Sequence, residues 1–124
     1  MGATKLDGAG AQKMKTLEEA LLTIQSMHGM TERMAMDMKN QKSVGMIPQQ
    51  VKRLAVPLQG QLKGQFGLIA DQVSGMILAV GRGGSDVVRL RTMRENIAQL
   101  RTTIELNVNK VKAQHSVEIE ISGD

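Results

Sequence analysis

Residues 51–80 have the sequence VKRLAVPLQGQLKGQFGLIADQVSGMILAV, and the apolar pattern of this stretch decides the fold. Apolar side chains recur at intervals of three and four residues, at Val51, Leu54, Leu58, Leu62, Phe66, Ile69, Val73, Met76 and Val80. Such intervals place side chains on one face of an α-helix. Pro48 suits the first turn of a helix, where its missing N–H removes no hydrogen bond. The pattern therefore predicts one long helix over residues 48–80.

Pro57 lies inside this pattern. An internal proline costs about 3 kcal/mol and usually kinks a helix. Because the apolar pattern continues in phase across Pro57, we predict a single helix kinked near Pro57. The alternative is a helix that begins near Pro57, with a separate turn before it.

A helical pattern also precedes this stretch. It consists of Leu17, Ala20, Ile24, Met27, Thr31, Met34 and Met38. Thr16 is a suitable N-cap, and Gly45 with the following Pro48 ends the pattern. We predict a helix over residues 16–43.

A third pattern follows the glycine-rich segment 81–84. It consists of Leu90, Met93, Ile97, Leu100, Ile104, Val108 and Val111. With Ser85 as N-cap, it predicts a helix over residues 85–114. Short connections make neighbouring helices antiparallel. The sequence thus predicts an all-α fold, an elongated antiparallel three-helix bundle.

The two ends of the chain lie outside this helical domain, which we place at residues 15–115. Residues 1–14 are rich in Gly and Ala, and we expect a disordered leader. Residues 116–124 form an acidic tail whose segment 117–121 alternates like a β-strand. Because no second strand is predicted, we expect this segment to be disordered or to add to another molecule.

The composition excludes several kinds of chemistry. The chain has no cysteine, which excludes disulfides, cysteine zinc sites and thiol catalysis. Its two histidines, His28 and His115, fall on different predicted elements, and neither belongs to a Glu-x-x-His pair. We therefore expect no enzyme, no catalytic residue, no metal site and no cofactor. No run of 18 apolar residues or signal peptide is present, so we expect no membrane span and a cytoplasmic location.

Ten methionines make up much of the apolar content. Met30, Met34 and Met38 share one helix face close to His28, and thioethers with an imidazole can bind Cu(I). Met36 points elsewhere on a helix, so the cluster favours core filling and an adaptable contact surface.

Apolar residues outside the predicted core face indicate an association surface. They are Leu22, Met30, Met36, Ile77, Leu78, Val87 and Val88. A helix that is apolar on several sides is buried on several sides. The alternative is that a few of these residues stay exposed in a monomer, which is ordinary.

Glycines recur along the second predicted helix at Gly60, Gly64 and Gly67. Each glycine inside a helix costs about 1 kcal/mol relative to alanine. A close approach of two helices would compensate for this cost. The alternative is a helix that is broken or mobile around Gly60–Gly67.

The third predicted helix carries a basic face. It consists of Arg89, Arg91, Arg94 and Arg101. Nucleic-acid phosphates could bind there, but no aromatic residues for base stacking are interleaved. A solvated face or an acidic protein partner is favoured. The preceding Gly81–Asp86 segment lacks the Lys-Ser/Thr pair of a phosphate-binding loop, so we predict a turn.

These features predict a non-enzymatic structural or scaffold protein. It would self-associate through helix packing, as a homo-oligomer, and present a surface to another protein. One alternative is a monomeric regulatory or adaptor module that binds a protein through the Met-rich face of the first helix. The other is a weak nucleic-acid-binding protein. We expect no small-molecule substrate.

Overall fold

The computed structural model describes residues 2–120, with the backbone alone described along segments 2–5 and 116–120. Within that range the chain forms four helices and two short strands. Their order is β1 (Gly2–Leu6), α1 (Gly8–Lys39), α2 (Ile47–Lys63), α3 (Gly67–Gly81), α4 (Asp86–His115) and β2 (Ser116–Glu120). The predicted three-helix bundle is therefore wrong, because residues 48–80 form two helices instead of one.

The chain reverses its direction between α2 and α3. Phe66 leaves the helical conformation, with φ −136° and ψ 65°. After it, α3 runs back along α2, so that Lys52 near the start of α2 lies beside Gly81 at the end of α3. The single helix kinked near Pro57 is corrected accordingly, since α2 continues through Pro57 and ends at Lys63. The alternative of a break between Gly60 and Gly67 agrees with the structure.

The four helices form an antiparallel bundle. Each helix contacts the next one along the chain, and α4 closes the bundle against α1. Thr16 of α1 donates a hydrogen bond to Gln65, 2.8 Å away in the α2–α3 connection. Since α1 begins at Gly8, its first turns extend beyond this connection and pair there with the end of α4.

The ends of the chain meet at this extended end. Strands β1 and β2 pair antiparallel, with Gly2 opposite Glu120 and Leu6 opposite Ser116. The prediction that the C-terminal strand has no partner in the chain is therefore wrong. The expected disordered leader is also corrected over residues 2–14, which form β1 and the start of α1. Met1 and residues 121–124, including the end of the predicted strand and of the acidic tail, lie outside the described residues.

Asp7 explains why α1 begins earlier than predicted. Its carboxylate accepts a hydrogen bond from the N–H of Gly10 at 2.7 Å, which caps the helix. Met14 is buried in the following turn. A cap and a buried apolar side chain are sufficient to add two turns before Thr16.

A single cluster of buried apolar side chains from all four helices forms the core. Met27, Met34 and Met93 are completely buried in it. Thr31 is buried as well, and its hydroxyl donates to the carbonyl of Met27 at 2.8 Å, so that its polar group is satisfied. Among the described helices, none has the combination of length and apolar character that crossing a membrane requires.

Candidate functional site

The solvent side of the α2–α3 hairpin carries the three glycines singled out from the sequence. We call it the hairpin face, and it comprises Val56, Gly60, Lys63, Gly64, Gly67, Asp71, Gly75 and Leu78, all of them exposed. Val56 is 55% exposed and Leu78 is 66% exposed. Glycines, two large apolar side chains and two opposite charges thus share one surface.

Neither packing nor backbone conformation within the chain requires these glycines. Apart from its chain neighbours and the backbone of its own helix, a Cβ atom added at Gly60, Gly64, Gly67 or Gly75 would meet no described atom within 4 Å. None of the four has a positive φ angle, in contrast to Gly83 and Gly84 in the α3–α4 connection. Among the described residues, no close helix contact is therefore made at these glycines.

The other residues predicted for association are scattered. Met30 and Ile77 pack against the core and are partly buried. Leu22 and Met36 are 65% and 55% exposed on α1. Val87 and Val88 are 58% and 48% exposed at the start of α4. Leu78 lies on the same solvent side of the hairpin as Gly60, Gly64 and Gly67, near Lys52 and Gly81, whereas the exposed residues of α1 and α4 lie on other helices.

Val56 was missed in the sequence analysis, although a signal was available. It lies outside the apolar pattern of α2 and precedes Gly60 by one helical turn, so the two share a side of the helix. An apolar residue aligned with glycines marks the same surface as the glycines do.

The four arginines of α4 do not form a continuous basic face. Arg94 donates two hydrogen bonds to the carboxylate of Glu32 on α1, at 2.8 and 2.9 Å. These bonds lower the pKa of Glu32. Arg91 is exposed, and Arg101 is half-buried in a groove of about 400 Å³ between α1 and α4, which His28 also lines.

Arg89 instead lines a cavity at the end of the bundle where α2 begins and α3 ends. The cavity has a volume of about 140 Å³, and its walls are Pro48, Gln49, Lys52, Val80, Gly81 and Arg89. The Nε atom of Arg89 is buried and has no hydrogen-bond partner among the described residues. The predicted turn at Gly81–Asp86 passes beside this cavity. The predicted cap at Ser85 is confirmed, because the N–H of Val88 donates a hydrogen bond of 3.3 Å to the Ser85 hydroxyl.

In the part of the chain that the structure describes, no group of three or more His, Cys, Asp or Glu side chains is placed to hold a metal ion. Comparison of the chain with protein-family models, with curated proteins and with solved structures gives no match.

Proposed function

We propose that this chain is a non-enzymatic structural or scaffold protein that associates with a second copy of itself through the hairpin face. The observation that carries the proposal is the pair Gly60 and Gly75, two exposed glycines for which neither packing nor a positive φ angle within the described chain gives a reason. Gly60 and Gly75 lie inside helices, where each costs about 1 kcal/mol relative to alanine. A helix from another molecule that packs closely on this backbone would compensate for the cost.

The charges of the hairpin face favour a second copy as the partner. Lys63 on α2 and Asp71 on α3 are both exposed, and neither forms an ion pair with another described residue. A two-fold symmetric contact places the same patch of both molecules face to face. Lys63 of one copy can then approach Asp71 of the other, while Val56 and Leu78 supply apolar contact area.

The two alternatives have less support. Met34 is completely buried, and Met30 and Met38 pack against the core, which leaves only Met36 largely exposed on the Met-rich segment of α1. An adaptor surface made of these methionines would therefore be small. Nucleic-acid binding loses one phosphate contact because Arg94 is engaged by Glu32.

The test is the mass of the chain in solution, measured by light scattering or sedimentation over a range of concentrations. We expect the wild-type chain to form a species of twice the mass of one chain. Gly60→Leu should shift it to monomer, because a leucine would hold the two faces apart. The matched control is Gly29→Leu, since Gly29 is also exposed inside a helix and also has open space around it.

Two results would contradict the proposal. One is a wild-type chain that stays monomeric at high micromolar concentration. The other is an equal effect of Gly29→Leu and Gly60→Leu, which would place the contact away from the hairpin face. Circular dichroism of both variants shows whether they keep the helical fold.

A further inference from the structure

The cavity beside Arg89 has the charge of an anion-binding site. It lies between the start of α2, the end of α3 and the first turn of α4. Lys52 and Arg89 supply two positive charges, and none of the described residues that form its walls is acidic. Neither cation pairs with a carboxylate of the described residues. Two like charges that share a small cavity repel each other, and an anion between them removes that repulsion.

The Arg89 side chain is the strongest indication. Its Nε atom is buried and lacks a hydrogen-bond acceptor among the described residues. A buried donor without an acceptor is unfavourable, and more so when the donor is charged. The planar guanidinium group can donate two parallel hydrogen bonds to a carboxylate or a phosphate. An oxyanion in this cavity would accept hydrogen bonds from the part of the guanidinium group that lines it, and it would offset the charge of a side chain that no described carboxylate pairs with.

The glycine-rich connection runs beside this guanidinium group, and the backbone angle at Gly83 requires glycine. A Cβ atom at Gly83 would lie 3.5 Å from Nη2 of Arg89, and the φ angle of Gly83 is +80°. Only glycine adopts such an angle readily. Asp86 follows this connection, but it is exposed and does not line the cavity. Its carboxylate therefore does not take the place of a bound anion.

We propose that Arg89 and Lys52 bind a small oxyanion of the phosphate class in this cavity. Arg89 donates the paired hydrogen bonds, and Lys52 contributes the second positive charge. The cavity volume of about 140 Å³ exceeds what one water molecule needs and leaves room for one tetrahedral oxyanion. The proposal is independent of the association through the hairpin face.

The oxyanion could be free phosphate or a phosphoryl group attached to a larger molecule. Two titrations of the full chain distinguish these sources, one with inorganic phosphate and one with O-phosphoserine. The side-chain Nε–H resonance of Arg89 in a ¹H–¹⁵N spectrum reports on the binding. Sodium chloride at matched ionic strength is the control for general screening.

Arg89→Gln should weaken the binding at least about tenfold, since it removes the charge and the paired donors. In this variant the binding is followed by calorimetry. Arg91→Gln is the matched control, because Arg91 is exposed two residues away and loses the same charge; it should change the affinity by less than about twofold. Lys52→Gln provides a second variant if Arg89→Gln fails to fold, and it should also weaken the binding.

Saturation by inorganic phosphate identifies a site for the free anion. Saturation by O-phosphoserine alone identifies a site for an attached phosphoryl group. The proposal is overturned if neither compound saturates the Arg89 resonance, if chloride gives the same shifts, or if the Arg89→Gln and Arg91→Gln variants bind equally.

Discussion

Asp7 and His115 connect the residue that caps α1 to the last residue of α4. The N–H of Asp7 donates a hydrogen bond to the carbonyl of His115 at 2.9 Å. Nδ1 of the same imidazole lies 3.2 Å from the Asp7 carboxylate. On its other side, Nε2 lies 3.1 Å from the ammonium group of Lys13. These contacts hold the start of α1 against the end of α4, next to the paired strands β1 and β2.

This junction should make stability sensitive to acid. The hydrogen bond from the Gly10 N–H and then the contact with His115 lower the pKa of Asp7 below its usual value of 3.8. A carboxyl group whose pKa is lower in the folded state stabilises it at pH values above the unfolded pKa. That contribution is lost as the pH falls through the lower, folded value.

We therefore compare the wild-type chain with Asp7→Asn, which keeps a capping side chain but cannot ionise. Urea unfolding at neutral pH should show a more stable wild-type chain, and the difference should shrink below about pH 4. The control is Glu105→Gln on the exposed side of α4, whose effect should stay small at neutral pH. A difference between wild type and Asp7→Asn that is constant with pH would contradict the role of the Asp7 charge.

Gly10 and Gly29 should respond in opposite directions to the same substitution. Both lie in α1, but a Cβ atom at Gly10 would clash with Cβ of His115, whereas one at Gly29 meets open space. Gly10→Ala should reduce the free energy of unfolding by about 1–3 kcal/mol, the usual cost of overpacking. Gly29→Ala should increase it by up to about 1 kcal/mol. Chemical denaturation of both variants measures the two changes, and a stabilising Gly10→Ala would mean that α1 and α4 are further apart than described.

Local signals in the sequence predicted α4 to within one residue of each end. The predicted range 85–114 compares with the observed Asp86–His115. The Ser85 cap and the apolar pattern both act within a few residues, so the sequence contains all the information needed. The link between Asp7 and His115, in contrast, joins residues at opposite ends of the chain, and no local pattern indicates it.

The reversal after Lys63 was missed for a different reason. Leu62 and Ile69 are both buried, and the apolar spacing continues in phase through Phe66 between them. A straight helix and a tight helical hairpin can therefore have the same apolar pattern. The glycines on either side, Gly64 and Gly67, are the local sign of a break, but a packing surface predicts the same residues.

The cavity beside Arg89 could not be predicted from the sequence at all. Its two cations are 37 positions apart, at Lys52 and Arg89, and only the reversal of α2 and α3 brings them to one place. A pattern along one helix placed Arg89 on a basic face, although its side chain lies in the cavity. The hairpin face was easier to predict, because its glycines lie close together in the sequence.

Leu100 and Leu106 provide a test of the core. Leu100 is completely buried, whereas Leu106 is 56% exposed on the same helix. Leu100→Ala should cost about 2–5 kcal/mol, because it removes buried surface and leaves a cavity. Leu106→Ala should change stability by no more than about 0.5 kcal/mol. Urea unfolding of both variants measures the two changes in the free energy of unfolding. Equal changes would be incompatible with the packing of α4 in the structure.

The methionines should differ strongly in their rate of oxidation. Met36 and Met46 are each 55% exposed, whereas Met27, Met34 and Met93 are completely buried. Hydrogen peroxide must reach the sulfur atom to form a sulfoxide, and the buried sulfurs become accessible only when the fold opens. In dilute peroxide, peptide mass spectrometry should detect sulfoxide at Met36 and Met46 well before it appears at the three buried positions. In urea, where the core is open, all five should react at similar rates. Rapid oxidation of Met27 or Met93 in the native chain would show that the methionine-rich core is more open than the packing of the four helices implies.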